Sequence, residues 1–293
     1  MTLISLLFVL MLEHLFNASA VLEKELNSHN WFQQWRLWIS SKCQQSWFKN
    51  WAGIVIIIGI PVLLVELLYA ADKGFLFWIF QLALSVLVMI YCLGPIDQNI
   101  HLKEYFDAVE RDDLQSAYCH VEGYLDLKSD HPMPDDLLTL GRTVTRLILS
   151  QSNFRYFAVL MYFVLLGPAG ALLYRLTGTF EFTVRDDESS PFRDKLRQMR
   201  TTLDWLPARL TGFLYSLAGD FTGAMSKLKH YLLEADHQNK QLLEETGLWA
   251  LGIKEDACSN IIDENNQALA LVSRSVVIFI VFIALMTVFG WLS

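Results

Sequence analysis

Apolar residues along this chain gather into long uninterrupted runs, separated by stretches whose polar and apolar positions alternate with a helical period. Crossing a hydrocarbon core takes about 20 mostly apolar residues. Residues 51–71 (WAGIVIIIGIPVLLVELLYAA) meet that length with Glu66 as their one charge, and residues 75–94 (FLFWIFQLALSVLVMIYCLG) carry none. Asp72-Lys73-Gly74 is all that separates these two runs, so they are expected to form an antiparallel hairpin. Residues 276–292 are shorter and uniformly apolar, and residues 157–173 (FAVLMYFVLLGPAGALL) lie between Arg155 and Arg175 with Gly167-Pro168 inside. Four spans are therefore the minimum, and the Gly-Pro pair is expected to interrupt its helix, because proline removes a backbone donor and clashes with the preceding turn.

Two stretches are ambiguous. Residues 1–16 are apolar up to Leu12, but no Lys or Arg precedes them and Glu13-His14 interrupts the run. An uncleaved first helix fits that pattern better than a signal peptide. Residues 203–219 hold Asp204 and Arg209 in an otherwise apolar run, and read as a fifth span, a re-entrant segment or a helix lying in the interface. Ionisable groups inside such runs are costly, and are paired or functional where they occur. This singles out Glu13, His14, Asp204 and Arg209, either as internal ion pairs or as a polar ligand site, whereas Glu66 is near enough to its span end to reach the interface.

The intervening polar regions read as helical. Asp113 is a candidate N-cap for a helix with Leu114, Ala117, Tyr118 and Val121 on one face, and Asp135 or Asp136 for a second with Leu137, Leu138, Val144, Leu147 and Ile148 apolar. A basic helix is expected over 192–200, and two amphipathic helices over 221–235 and 237–251. No alternating pattern longer than four residues suggests a strand. The expected fold is all-α, a polytopic helical membrane protein with at least four transmembrane helices and two helical extramembrane regions. The expected division runs 1–50, 51–94, 95–153, 154–225, 226–275 and 276–293. Basic residues before the first strong run (Arg36, Lys42, Lys49) and after the second (Lys103, Arg111, Arg142, Arg146) place 21–50 and 95–153 in the cytoplasm. Full crossing by 157–173 would then put the basic stretch 193–200 outside; a non-crossing hairpin at Gly167-Pro168 would not.

Composition narrows the function classes. Apolar residues make up 53% and charged residues 18% of the 293, fewer charges than the roughly 25% of a soluble domain. The net charge of −8 argues against a nucleic-acid partner. Cys43, Cys92, Cys119 and Cys258 are scattered without a CxxC pair, so neither a disulfide framework nor a zinc site is implied. His120-Val-Glu122 lacks the P-C-x-x-C of a zinc deaminase, and His230 and His237 read as solvated positions. Phosphate-loop, serine-hydrolase and zinc-protease signatures are missing, so no catalytic residue, metal or cofactor is expected. Gly167-x-x-x-Ala171 and Gly212-x-x-x-Ser216 are spacings that let helices approach closely, and they permit a homodimer.

Two motifs carry a resemblance. LLGPAGALLYRL (165–176), followed after a polar loop by DWLPARLTGFLYSLAGDF (204–221), resembles two linked segments of the membrane family that joins the CbiB/CobD proteins of cobalamin biosynthesis to the AmpE branch, inner-membrane proteins encoded beside the amidase of the β-lactamase induction system. The opening MTLISLLFVLMLEHLF, the stretch NFRYFAVLMYFVLLGPAGALLYR and the terminal apolar helix are similar to the AmpE branch. The resemblance implies a multi-pass protein of the bacterial inner membrane. Its partners would be the lipid bilayer and either a small anionic ligand or another membrane protein. It implies a regulatory role linked to β-lactamase induction, with cell-wall fragments as signals. It picks out Arg175, Asp204 and Arg209 as ligand-binding candidates beside Glu13 and His14, and Gly167, Pro168, Gly170 and Pro207 as structural positions. Where CbiB-like synthases carry an acidic stretch before the Gly-Pro segment, this chain has Gln151-Ser-Asn-Phe-Arg-Tyr156, and after Tyr174-Arg175 it has Thr177-Gly-Thr-Phe-Glu181. The synthase reaction is therefore not carried over. The alternative is a membrane enzyme acting on a phosphorylated or carboxylated metabolite.

Overall fold

A computed structural model describes residues 51–70, 75–93, 98–125, 134–183, 191–232, 239–253 and 260–289, and every regular element among them is helical. The first two apolar runs form α1, Trp51–Ala70, and α2, Phe75–Leu93. Both are apolar round most of their circumference, Glu66 being the one charge of α1 and Gln81 and Ser85 interrupting the apolar run of α2. The Gln81 amide donates to the Tyr69 carbonyl (2.9 Å), covering one of the carbonyls that the end of α1 leaves without a helical partner.

Caps set the next elements. Asp113 accepts from the Ser116 amide (3.0 Å) and starts α4, Leu114–Leu125, after α3, Gln98–Glu110. Hydrogen bonds from the Ser116 amide and hydroxyl hold the Asp113 carboxyl below its ordinary range. Asp136, not Asp135, caps α5, Leu137–Ser152, by accepting from Thr139 N (3.2 Å). Asp136→Ala is expected to lower stability by about 1 kcal/mol, and Asp136→Asn to retain most of it, in thermal unfolding of the full chain.

Beyond Ser152 the helix does not stop, because nothing between 149 and 157 is a Gly or a Pro. A π-helical turn, Asn153–Phe157, leads straight into α6, Ala158–Thr183. This helix is broken at Gly167, whose φ of 70° and ψ of −162° are open to glycine alone. The break is a reversal. The rings of Tyr162 and Tyr174, which a straight helix would separate by about 18 Å, stack with centroids 5.3 Å apart. A Cβ on Gly170 would lie 2.8 Å from the Tyr162 carbonyl oxygen, so only glycine lets the returning limb approach this closely. Among the described residues two helical runs, 137–181 and Ile261–Val288, are long and apolar enough to cross a membrane, and α1 and α2 hold shorter apolar stretches, Ile58–Tyr69 and Ile79–Leu93. The run 137–181 doubles back at Gly167, the interruption expected at Gly167-Pro168, so 157–173 takes the form of the hairpin alternative.

The basic helix expected over 192–200 and the run 203–219 prove to be one helix, α7, Pro191–Ala218. Proline suits the first helical position and Asp194 the first turn. Pro207 inside the helix removes the donor that would serve the Leu203 carbonyl, and the Tyr162 hydroxyl donates to that carbonyl instead (2.9 Å). The charges of α7 keep it outside the two membrane-competent runs.

The amphipathic helices are α8, Phe221–Leu232, and α9, Asn239–Leu251, which pack on each other, with α9 also against α5. Gly252, at φ 69°, ends α9 in the left-handed conformation usual after a helix. Last comes α10, Ile261–Val288, opened by Asn260, whose side chain accepts from Ile262 N (3.2 Å). It begins well before the apolar run expected at 276.

The chain divides into two compact units, Met1–Ile96 with Phe154–Asp204 and Ile283–Ser293, and Asp97–Asn153 with Trp205–Phe282. In the first, α1 and α2 pack against α6. The second has a polar interior. Asn265 accepts from Thr145 (2.6 Å) and donates to the Tyr105 hydroxyl (2.8 Å), and burial raises that phenol to about 12. The Tyr215 hydroxyl meets Ser152 and the Leu149 carbonyl, and the Thr211 hydroxyl donates to Asn153 (3.0 Å). Burial also raises the Glu244 carboxyl, against the pull of Lys240 and Arg146.

Candidate functional site

The reversal of α6 builds a charged and aromatic cluster in the first unit. Phe154 and Tyr162 come from the limb before Gly167, Tyr174, Arg175 and Glu181 from the limb after it, and Arg200 and Asp204 from α7. Arg200 bonds Glu181 through one terminal nitrogen, while its Nε stands 3.5 Å from Asp204 one helical turn on. The other Asp204 oxygen accepts from the fully buried Tyr174 hydroxyl. The guanidinium of Arg200 lies 4.6 Å from the centre of the Phe154 ring and that of Arg175 lies 4.9 Å from it, within cation–π range. Gly178 makes room for this ring, since a Cβ there would stand 2.1 Å from it.

Two arginines face two carboxylates, so the cluster is balanced in charge. Its acids serve as hydrogen-bond acceptors for Arg200 and Tyr174. Among the described residues no group of three or more His, Cys, Asp or Glu is placed to hold a metal ion.

Arg209 belongs to the second unit and is buried there. Its terminal nitrogens donate to the Trp205 carbonyl (2.9 Å), the Tyr231 carbonyl (3.2 Å) and the Asn239 side chain (3.3 Å), and its guanidinium lies 4.3 Å from the Trp205 ring. One arginine thus ties α7 to the end of α8 and the start of α9. Glu13 and His14, singled out from the sequence together with Asp204 and Arg209, lie outside the described residues.

Asp204 and Arg209, neighbours in one motif, therefore take different partners. Arg175 joins Asp204 in the first unit around Phe154 and Tyr174. Gly167 and Gly170 shape the reversal that brings these side chains together, Pro168 is buried beside it, and Pro207 creates the open carbonyl that Tyr162 fills. Arg200, Glu181, Tyr174, Tyr162 and Phe154 are not among the residues that sequence singles out. The i,i+4 spacing of Arg200 and Asp204 was a usable signal. Nothing local marks Glu181 or Phe154 as their neighbours.

The model of the family described as "Regulatory signalling modulator protein AmpE" matches residues 1–293. A curated relative from Shigella flexneri, Protein AmpE, is 22% identical over 242 residues, covering 80% of this chain and 82% of its own. Cobalamin biosynthesis protein CobD of Chromobacterium violaceum is 26% identical over 47% of this chain and 44% of its own, and a probable CobD of Aeropyrum pernix is 36% identical over 29% and 28%. No solved structure gives a significant match. The CobD likeness thus covers part of the chain, whereas the family model runs from the first residue to the last: the chain belongs to the AmpE family of regulatory signalling modulator proteins.

Proposed function

We propose that this chain is a multi-pass inner-membrane regulator in the signalling that controls β-lactamase expression, and that it does not perform the CbiB-type synthase reaction. The observation that carries this reading is the family match over the whole length. Helices α1, α2 and α10 are the crossing elements, and α6 enters the bilayer and returns to the side it came from. With α6 returning, the basic residues 193–200 stay on the cytoplasmic side with 95–153, as the distribution of Lys and Arg requires. The departure from the synthase pattern at 151–156 supports a regulatory role, because Phe154 supplies a ring for two arginines where CbiB-like synthases resemble one another in carrying carboxylates.

Deleting the gene from its host is expected to change the β-lactamase activity induced by a β-lactam challenge, read by hydrolysis of a chromogenic cephalosporin, and the wild-type gene in trans is expected to restore it. Induction that is unchanged by deletion would overturn the reading. The partial CobD matches favour a second reading, a membrane enzyme acting on an anionic metabolite. That reading calls for a phosphorylated or carboxylated compound accumulating in the deletion strain.

A further inference from the structure

We infer that the second half of α7 lies in one leaflet of the bilayer, with a stripe of Leu206, Phe213 and Leu217 in contact with lipid acyl chains. These residues repeat at the spacing of one helix face, with the half-buried Leu210 between them, and are 49%, 42% and 46% exposed. The rest of the helix is closed against the unit: Ala208, Leu214 and Tyr215 are buried there with Thr211 and Ser216, Arg209 nearly so, and the polar groups among them are bonded within the unit. In lipid the arrangement is the favourable one, since polar groups turn toward protein and large apolar groups face the chains.

Continuity with a membrane-competent helix identifies the occupant. In the same unit, α10 exposes Val277, Val281 and Phe282, and Ser275 reaches the Leu214 carbonyl of α7 (3.5 Å). The stripe therefore runs beside a surface already suited to acyl chains. Trp205, 42% exposed at the start of the stripe, is the residue type enriched at the headgroup boundary. From Leu206 to Leu217 the helix runs about 17 Å, and Asp220 and the exposed Thr222 follow directly, so the stripe lies along the interface within one leaflet instead of descending to the bilayer centre.

The test uses the full chain in liposomes of phosphatidylethanolamine and phosphatidylglycerol, with Cys43, Cys92, Cys119 and Cys258 replaced by serine and nitroxide labels placed singly. Labels at 206, 213 and 217 are expected to collide more with oxygen than with a nickel chelate, as a label at the exposed Val281 does. Labels at the exposed Thr222 and Ser226 are expected to show the reverse. Preference for the chelate at 213 and 217 would mean water, and poor access to both reagents would mean coverage by protein, including a second copy of this chain; either overturns the inference. Where labelling disturbs the fold, a photoactivatable phospholipid on the unaltered chain reads the same contact. Adducts are expected on peptides covering 205–217. Their absence, while the 276–289 peptide is modified, would also overturn it. None of these readouts depends on β-lactamase induction, so the inference and the proposed function fail separately.

Discussion

Replacing Arg200 with alanine is expected to destabilise the chain by about 3 kcal/mol, more than any other single change in the cluster. Breaking a buried ion pair from one side costs about 3–5 kcal/mol, because the partner charge stays behind without compensation. Here two partners stay behind, Glu181 and Asp204, with only 19% and 16% of their side chains reached by solvent. That residual solvation holds the expected cost to the lower end of the range. The lost contact with the Phe154 ring adds a smaller amount, within the roughly 0.5–2 kcal/mol of a cation–π pair.

Comparison with milder variants separates charge compensation from packing. Asp204→Asn keeps an oxygen for the Tyr174 hydroxyl and leaves Arg200 bonded to Glu181, so it is expected to cost only about 1 kcal/mol, a typical hydrogen bond. Tyr174→Phe removes one bond and is expected to cost a similar amount. Thermal unfolding of the detergent-purified chain ranks the three. An Arg200→Ala chain that melts with Asp204→Asn would mean that the cluster is not held by its central guanidinium.

The elements that sequence revealed are those whose cause is local. Asp113 and Asp136 cap the helices they precede, the runs 51–71 and 75–94 become α1 and α2, and glycine before proline at 167 breaks α6, all from residues adjacent in the chain. What stayed hidden depends on distant pairing. Asn265 finds Thr145 across 120 residues, and Thr211 finds Asn153 across 58. The direction the chain takes after Gly167 was hidden for the same reason. A Gly-Pro pair announces a break without giving its angle, and only the reversal places Phe154 beside Gly178 and Arg200. The motif containing Asp204 and Arg209 drew attention to α7 without naming the partner of either. Their separate partners follow from helix geometry, since five residues set side chains on different faces.

Gly167→Ala is the second change expected to have a large effect, about 2 kcal/mol. The cost is conformational. No heavy atom lies within 4 Å of the place a Cβ would take, so crowding does not contribute. The backbone at φ 70° and ψ −162° lies where a residue with a side chain is strained by about 1–3 kcal/mol. Relief of that strain would draw residue 167 back toward helical angles and swing the two limbs of α6 apart. The stacked Tyr162 and Tyr174 rings would then separate, and with them the Tyr162 bond to Leu203 and the seat of Phe154 against Gly178. Pro168→Ala is the control. It restores an N–H donor next to the break while leaving Gly167 free to adopt its angles, so a loss under about 1 kcal/mol is expected, as for a core change of modest volume. Thermal unfolding of both variants in detergent decides the matter. If Gly167→Ala unfolds with the wild type while Pro168→Ala falls below it, the proline imposes the reversal, and the glycine angles are incidental to it.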